Sequence, residues 1–215
     1  MDPLILASTN RHKVVELERM VAGSMPVRTM AEFGEPPTIH ETGSSFIDNA
    51  VLKAEGIAAW LRQRGERGFV LADDSGICID ALDGRPGVYS ARFAGLHADD
   101  AGNNAHMVAQ LRAIGCEQSL AHYVCVLALT HTINPVVVTA TDADEVQVRG
   151  TTLCVTGRCD GEVRTTARGD GGFGYDPHFW IDARTRTFAE LAPAAKAARS
   201  HRGEALRRLF AVWRR

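Results

Sequence analysis

Four short polar segments carry more reactive side chains than turns of their length require. The first is Ser8-Thr9-Asn10-Arg11-His12-Lys13, placed after an apolar run and before residues at helical spacing. Free N–H groups and the positive end of a helix dipole favour an anion there, and Lys13 adds charge. A plain capped helix start with one surface lysine has the same signature. The second segment is Asp73-Asp74-Ser75-Gly76, which closes the apolar run at 69–72. Two adjacent carboxylates can hold Mg2+, which takes one or two of them beside substrate phosphates and water. They can also accept a proton from an attacking water. The same residue types make ordinary turns. Ser75 lacks the G-x-S-x-G surroundings of an activated serine.

The third segment is Gly169-Asp170-Gly171-Gly172-Phe173-Gly174-Tyr175-Asp176-Pro177. It contains the G-x-G-x-x-G spacing of dinucleotide sites, but Tyr-Asp-Pro follows where an amphipathic helix should open. Glycines around two aromatic rings and a carboxylate suit a loop that stacks on a flat base and hydrogen-bonds its edge. A structural glycine turn is the other reading. The fourth segment joins Lys196 to Ser200-His201-Arg202. Its cationic groups at a helix start could clamp an anion or read a base edge, or simply be solvated.

The elements that must position these groups are legible in outline. Leu4-Ile5-Leu6-Ala7 reads as a buried strand, and Val14, Leu17 and Val21 recur at helical spacing after it. Ser45-x-x-Asp48 fits a capping box, opening a helix with an apolar stripe of Ile47, Ala50, Val51, Ala54, Ile57, Ala58 and Leu61. Asn49 and Lys53, four apart, share another face of it. Residues 69–72 form a second buried strand that ends at the Asp pair, and 99–115 read as a helix closed by Gly115. Strands are expected at 123–129, 136–139, 145–148, 153–156 and 162–165, then one helical segment from Pro193 to Trp213. This order predicts an α/β fold on a mixed sheet, not a regular doubly wound one.

Composition excludes several classes. The chain has 215 residues, 45% of them apolar and 23% charged, which is the balance of a globular protein without long disorder. A net charge of −2 argues against a general nucleic-acid binder. No apolar run reaches the roughly 18 residues of a membrane span. Met1-Asp2-Pro3 has neither the basic region nor the apolar core of a signal peptide, so a cytoplasmic location is expected. Cys78, Cys116, Cys125, Cys154 and Cys159 are odd in number and irregularly spaced, which predicts structural thiols and no disulfide framework or zinc set.

The segments also occur in a telling order. Ser8-Thr9-Asn10-x-x-Lys13, Glu41-Thr42-Gly43-x-x-Phe46-x-x-Asn49-Ala50-x-x-Lys53-Ala54 and Ala72-Asp73-Asp74-Ser75-Gly76 come first. Asp80-Ala81-Leu82-x-Gly84-x-Pro86-Gly87-Val88-Tyr89-Ser90-Ala91-Arg92, Gly172-Phe173-Gly174-Tyr175-Asp176-Pro177 and Lys196-x-x-x-Ser200-His201-Arg202-Gly203 follow. Together they resemble the inosine/xanthosine triphosphate pyrophosphatase family over nearly the whole chain. The resemblance implies Mg2+-dependent hydrolysis of ITP, dITP or XTP to the monophosphate and pyrophosphate, which cleanses the nucleotide pool. It also implies a homodimer; the charge balance and the lack of an apolar span predict no nucleic-acid or membrane partner. The implied fold is one two-lobed domain over 1–215, an elongated mixed sheet with a central nucleotide cleft.

Carried over by position, the resemblance makes Asp74 general base and metal ligand, and Glu41 a second metal ligand. Ser75 would touch the substrate; Ser8, Thr9, Asn10, Arg11, His12, Lys13 and Lys53 would contact the triphosphate. Phe173, Gly174, Tyr175, Asp176, Lys196, His201 and Arg202 would hold the purine. Many members have two glutamates where this chain has His40-Glu41. The stretch 133–152, with Asp142-Ala143-Asp144-Glu145, is longer than the family norm and reads as an extended hairpin away from the motifs. A non-catalytic nucleotide-binding module is the rival class, and a dinucleotide-dependent oxidoreductase rests on the glycine spacing alone. Asp73 and Asp74 beside Lys13 and Lys53 favour catalysis, because a mere binder needs no carboxylates near a polyphosphate.

Overall fold

The structure, a computed structural model, describes residues 2–139, 143–182 and 184–214. Met1 of the opening tripeptide, Asp142 of the acidic run, and Ala140 and Thr141 of the same stretch lie outside the described residues. In chain order the elements are β1 (Leu4–Leu6), α1 (Arg11–Val21), β2 (Val27–Thr29), α2 (Phe46–Gln63), β3 (Phe69–Ile79), α3 (Asp100–Ala113) and β4 (Gln118–His131). There follow β5 (Val137–Val138), β6 (Val146–Arg149), β7 (Thr152–Arg164), β8 (Phe179–Ile181), β9 (Arg186–Thr187), α4 (Pro193–Arg199), α5 (His201–Val212) and β10 (Trp213–Arg214). The main sheet runs β2-β1-β3-β4-β7-β8-β9 with β6 paired to β7, and β5 pairs with β10 apart from it. The mixed α/β expectation holds.

Two compact units divide the chain. The first comprises Met1–Asp74, Cys125–Gly157 and Arg202–Arg215. Within it β1 lies parallel to both β2 and β3. All three residues of β1 are buried, as an apolar run covered on both faces of a parallel sheet should be. Leu17 and Val21 of α1 reach a core that includes Leu4, Leu6, Leu71, Leu127, Leu129, Val155 and Leu209. The second unit comprises Ser75–Val124 and Arg158–His201. Its core gathers Ile77, Ile79, Met107, Leu111, Tyr123, Val163, Phe179 and Phe188. Side chains of this size each contribute roughly 1.5–3 kcal/mol when fully buried.

Helix starts match the sequence reading. Asn10 caps α1, Ser45 caps α2 by accepting from the Asp48 N–H, and Asp99 caps α3 by accepting from Gly102. Four expectations are corrected. β3 does not end at the Asp pair but continues to Ile79, because the buried carboxylates find cationic partners and the apolar residues resume at Ile77. The strands expected at 153–156 and 162–165 are one strand, β7. The expected hairpin at 133–152 is partial: β6 folds back on β7, but β5 pairs antiparallel with the C-terminal β10. The helical segment from Pro193 breaks at Ser200, whose extended backbone (φ −72°, ψ 155°) separates α4 from α5. Trp213 then leaves α5 to enter β10.

Candidate functional site

The functional side chains fall into two sets, one in each unit. In the first unit the set forms around β3. Asp73 and Asp74 are successive strand residues, so they point to opposite faces of the sheet. They cannot act as the side-by-side pair that their adjacency implies, and each has its own partners.

Asp73 is the structural member. Lys13 Nζ lies 2.6 Å from its Oδ1, and Arg202 Nε lies 2.8 Å from its Oδ2. The buried Cys125 thiol donates to the same Oδ2 at 3.1 Å. Arg202 also reaches Glu16 Oε2 at 2.5 Å. Burial opposes the Asp73 charge, but Arg202 and then Lys13 outweigh it and hold the carboxyl well below the usual range. Burial pushes the Cys125 thiol far up, so it stays a neutral donor.

Asp74 is different in kind. Its Oδ1 accepts from Lys53 Nζ at 2.8 Å, and the same ammonium donates to Glu41 Oε1 at 2.8 Å. Its Oδ2 is buried and has no hydrogen-bond partner among the described residues. Burial raises the Asp74 pKa despite Lys53. Burial also opposes the Lys53 charge, but Asp74 and Glu41 more than restore it. The result is a carboxylate with one tethered oxygen, one free oxygen and a raised proton affinity. Those are the attributes of a general base.

Around the start of α1, Asn10 Oδ1 accepts from the N–H groups of His12 and Lys13, and Ser8 Oγ accepts from Asn10. Thr9, Asn10, Arg11 and His12 are exposed, and Ser8 and Lys13 half-buried. Capping sets the direction of the first helical turn and so delivers Lys13 to Asp73. Ser75 follows Asp74 on β3, half-buried.

The second unit holds the aromatic set. Asp176 Oδ2 accepts from the Phe173 N–H at 2.8 Å and from Lys196 Nζ at 2.7 Å. The Lys196 ammonium lies 4.5 Å from the Phe173 ring centroid, within cation–π range. Gly172 has a φ of +74°, and a β-carbon there would run into the Asp176 carboxylate. Gly174 N–H donates to Asp100 Oδ2 at 2.7 Å, and Asn104 Nδ2 donates to Gly174 O at 2.9 Å. These bonds tie the glycine loop to α3. The His201 ring stacks on Tyr123, with centroids 4.6 Å apart and planes 6° from parallel.

Two residues expected at the purine take other partners. Tyr175 is buried with its hydroxyl donating to Ser90 O at 2.8 Å. Arg202, also fully buried, turns its guanidinium to Asp73 and Glu16. Phe173, Asp176 and Lys196 lie together, as do Lys53, Glu41 and Asp74, whereas Lys13 is on Asp73. Sequence reasoning missed Glu16 and Cys125, which carry no local signal of pairing with Arg202 and Asp73. It also missed that Asn49 is fully buried, although its four-residue spacing from Lys53 was visible.

The chain belongs to the Ham1 family, whose sequence model matches residues 4–212. It is 40% identical to a dITP/XTP pyrophosphatase of Leuconostoc mesenteroides, covering 98% of this chain and 97% of that protein. It is 39% identical to a dITP/XTP pyrophosphatase of Geobacillus kaustophilus, covering 99% and 95%. A HAM1 protein from Coxiella burnetii has a similar solved structure, with a TM-score of 0.77 and 37% identity over 97% of this chain and 96% of that one.

Among the described residues no cluster of three or more His, Cys, Asp or Glu could form a metal cage. That donor set does not suit zinc, but it suits Mg2+, which needs one or two carboxylates and keeps several waters. The unpartnered Asp74 Oδ2 is an orphaned anionic oxygen of the kind Mg2+ would satisfy. Glu41 shares Lys53 with Asp74 and adds a carboxylate beside it. Among the described residues no helix is long and apolar enough to cross a membrane.

Proposed function

We propose that the protein hydrolyses non-standard purine nucleoside triphosphates (ITP, dITP and XTP) to the monophosphate and pyrophosphate. The observation that carries this reading is Asp74, held by Lys53 through one oxygen while burial raises its pKa and leaves the other oxygen unpartnered. The names of the Leuconostoc and Geobacillus relatives support the substrate class.

In this reading Asp74 takes a proton from a water as its oxygen bonds to the α-phosphorus. The bond from that phosphorus to the bridging oxygen breaks, and pyrophosphate leaves with the electron pair. Lys53 holds Asp74 in place and, with Lys13, sets positive charge against the phosphates. Asp74 and Glu41 would hold Mg2+, which supplies charge neutralisation on the phosphates and the leaving group. Ser8 to His12 supply hydroxyl, amide and cationic donors for phosphate oxygens. In the second unit Phe173 stacks on the purine, while Lys196 and His201 offer donors to its 6-keto oxygen. Arg202 serves by fixing Asp73 and, through it, Lys13. The resemblance further supports a homodimer, for which light scattering on the purified protein is the test.

Selectivity tests the substrate claim. A donor-lined site satisfies the 6-keto oxygen of inosine and xanthosine and leaves the adenine amino group facing unpaired N–H groups. Matched hydrogen bonds of this kind discriminate by about 10⁴-fold or more, whereas shape alone gives about 10–200-fold. Side-by-side kcat/KM values for ITP, XTP, ATP and GTP should show ITP and XTP far ahead. ATP hydrolysed as well as ITP would overturn the substrate assignment.

A further inference from the structure

Asn49 has no role in the reading above, yet its surroundings are unusually constrained. It sits in the first turns of α2, fully buried, where asparagine is a poor helix former. A buried amide is costly unless it is hydrogen-bonded. Its Oδ1 accepts from the backbone N–H of Gly43 at 2.8 Å. Because that partner is a donor, the amide orientation is fixed: oxygen to Gly43, Nδ2 away from it. The Nδ2 group has no hydrogen-bond partner among the described residues. The polar side chain is therefore retained for the Gly43 contact.

Gly43 is shaped for the same contact. A β-carbon there would lie 2.7 Å from Asn49 Oδ1 and 2.6 Å from Asp48 Cβ. Its φ is not in the left-handed region, so close approach to α2, not backbone conformation, is what demands glycine. Two residues earlier is Glu41, and four residues after Asn49, on the same helical face, is Lys53. Asn49 thus clamps the loop to α2 one turn before the lysine that Glu41 must reach. The Thr42 N–H donating to His40 O at 3.0 Å closes a short turn around Glu41 itself, next to the clamp.

The geometry assigns to Asn49 the role of a positioning residue that acts through Glu41, docking residues 41–43 on α2 so that Glu41 meets Lys53 beside Asp74. This rests on the functional reading of Asp74, Lys53 and Glu41 given above. The test uses Asn49→Ala, Asn49→Asp, Gly43→Ala and Glu41→Gln, with melting temperature, kcat/KM for ITP, and amide exchange at Gly43.

Asn49→Ala should release Gly43 exchange and lower kcat/KM by about 10- to 100-fold, the scale of an ångström-sized misplacement. Asn49→Asp keeps an acceptor for Gly43 and should lose several-fold less while retaining Gly43 protection. Gly43→Ala reaches the same end by pushing the loop off α2, and serves if Asn49→Ala does not fold. In the Glu41→Gln background, Asn49→Ala should cost little more, because both changes remove the same interaction. Losses that multiply in the double variant would overturn the role, as would Asn49→Ala with wild-type activity or unchanged Gly43 exchange. Absence of ITP turnover by the wild-type protein would instead overturn the functional reading, and Gly43 exchange would still report whether Asn49 holds the loop.

Discussion

Replacing Asp73 and Asp74 in turn by asparagine should give opposite outcomes although the residues are neighbours. Asp73 is buried between Lys13 at 2.6 Å and Arg202 at 2.8 Å. Asp73→Asn leaves the buried Arg202 without its main counter-charge. Removing one member of a buried pair costs about 3–5 kcal/mol, most of it from the charge left behind. At about 2–4 °C per kcal/mol for a chain of this size, the melting temperature should fall by about 6–20 °C. Asp74 carries an ionised form that burial disfavours, and Lys53 keeps Glu41 as partner when Asp74 is neutralised. Asp74→Asn should therefore melt no lower than wild type, yet lose about 10²–10⁴-fold in kcat because the amide accepts no proton. The assays are thermal unfolding by circular dichroism in EDTA and turnover of ITP at saturating Mg2+. Asp73→Asn melting within about 2 °C of wild type, below the smallest shift expected, would refute the ion-network argument. Asp74→Asn turning over within a few-fold of wild type would refute the base assignment.

Acid titration separates the same two carboxylates. Asp73 has a folded pKa below the ordinary 3.8, so its stabilisation is present above that value and lost as pH falls through the depressed one. The gap in melting temperature between wild type and Asp73→Asn should hold at neutrality and close in acid. Asp74 has a raised pKa, so the stability of wild type relative to Asp74→Asn should fall as pH rises through it. Gly172→Ala places a β-carbon against Asp176 at a φ of +74°; KM for ITP should rise, with a stability loss of about 1–2 kcal/mol in urea melts. Lys196→Met strips the buried Asp176 carboxylate of its cation. It should raise KM for ITP more than it lowers kcat, as steady-state kinetics will show.

Much of this was legible in the sequence because it was local. Asn10, Ser45 and Asp99 announce their helices by capping chemistry that acts within three residues. Leu4-Ile5-Leu6 announces a buried parallel strand by an unbroken apolar run. What escaped depends on partners distant in sequence. Asp73 to Gly76 are turn-forming residue types, and Lys13, Lys53 and Arg202 are what let β3 carry the two carboxylates in its interior. Nothing local to Arg202 reveals Glu16 and Asp73 as its partners. The β5–β10 pairing joins Trp213 to Val138 and Arg214 to Val137, far apart in sequence, and a two-residue strand has no periodicity to detect.

The proposed reaction breaks one bond, between the α-phosphorus and the oxygen bridging to the β-phosphoryl group. Incubating the purified protein with ITP and Mg2+ in ¹⁸O-labelled water, and resolving the products by mass spectrometry, reads that bond directly. IMP and pyrophosphate are expected in equal amounts, with the label in IMP. Labelled pyrophosphate, or IDP with inorganic phosphate, would contradict the proposed reaction.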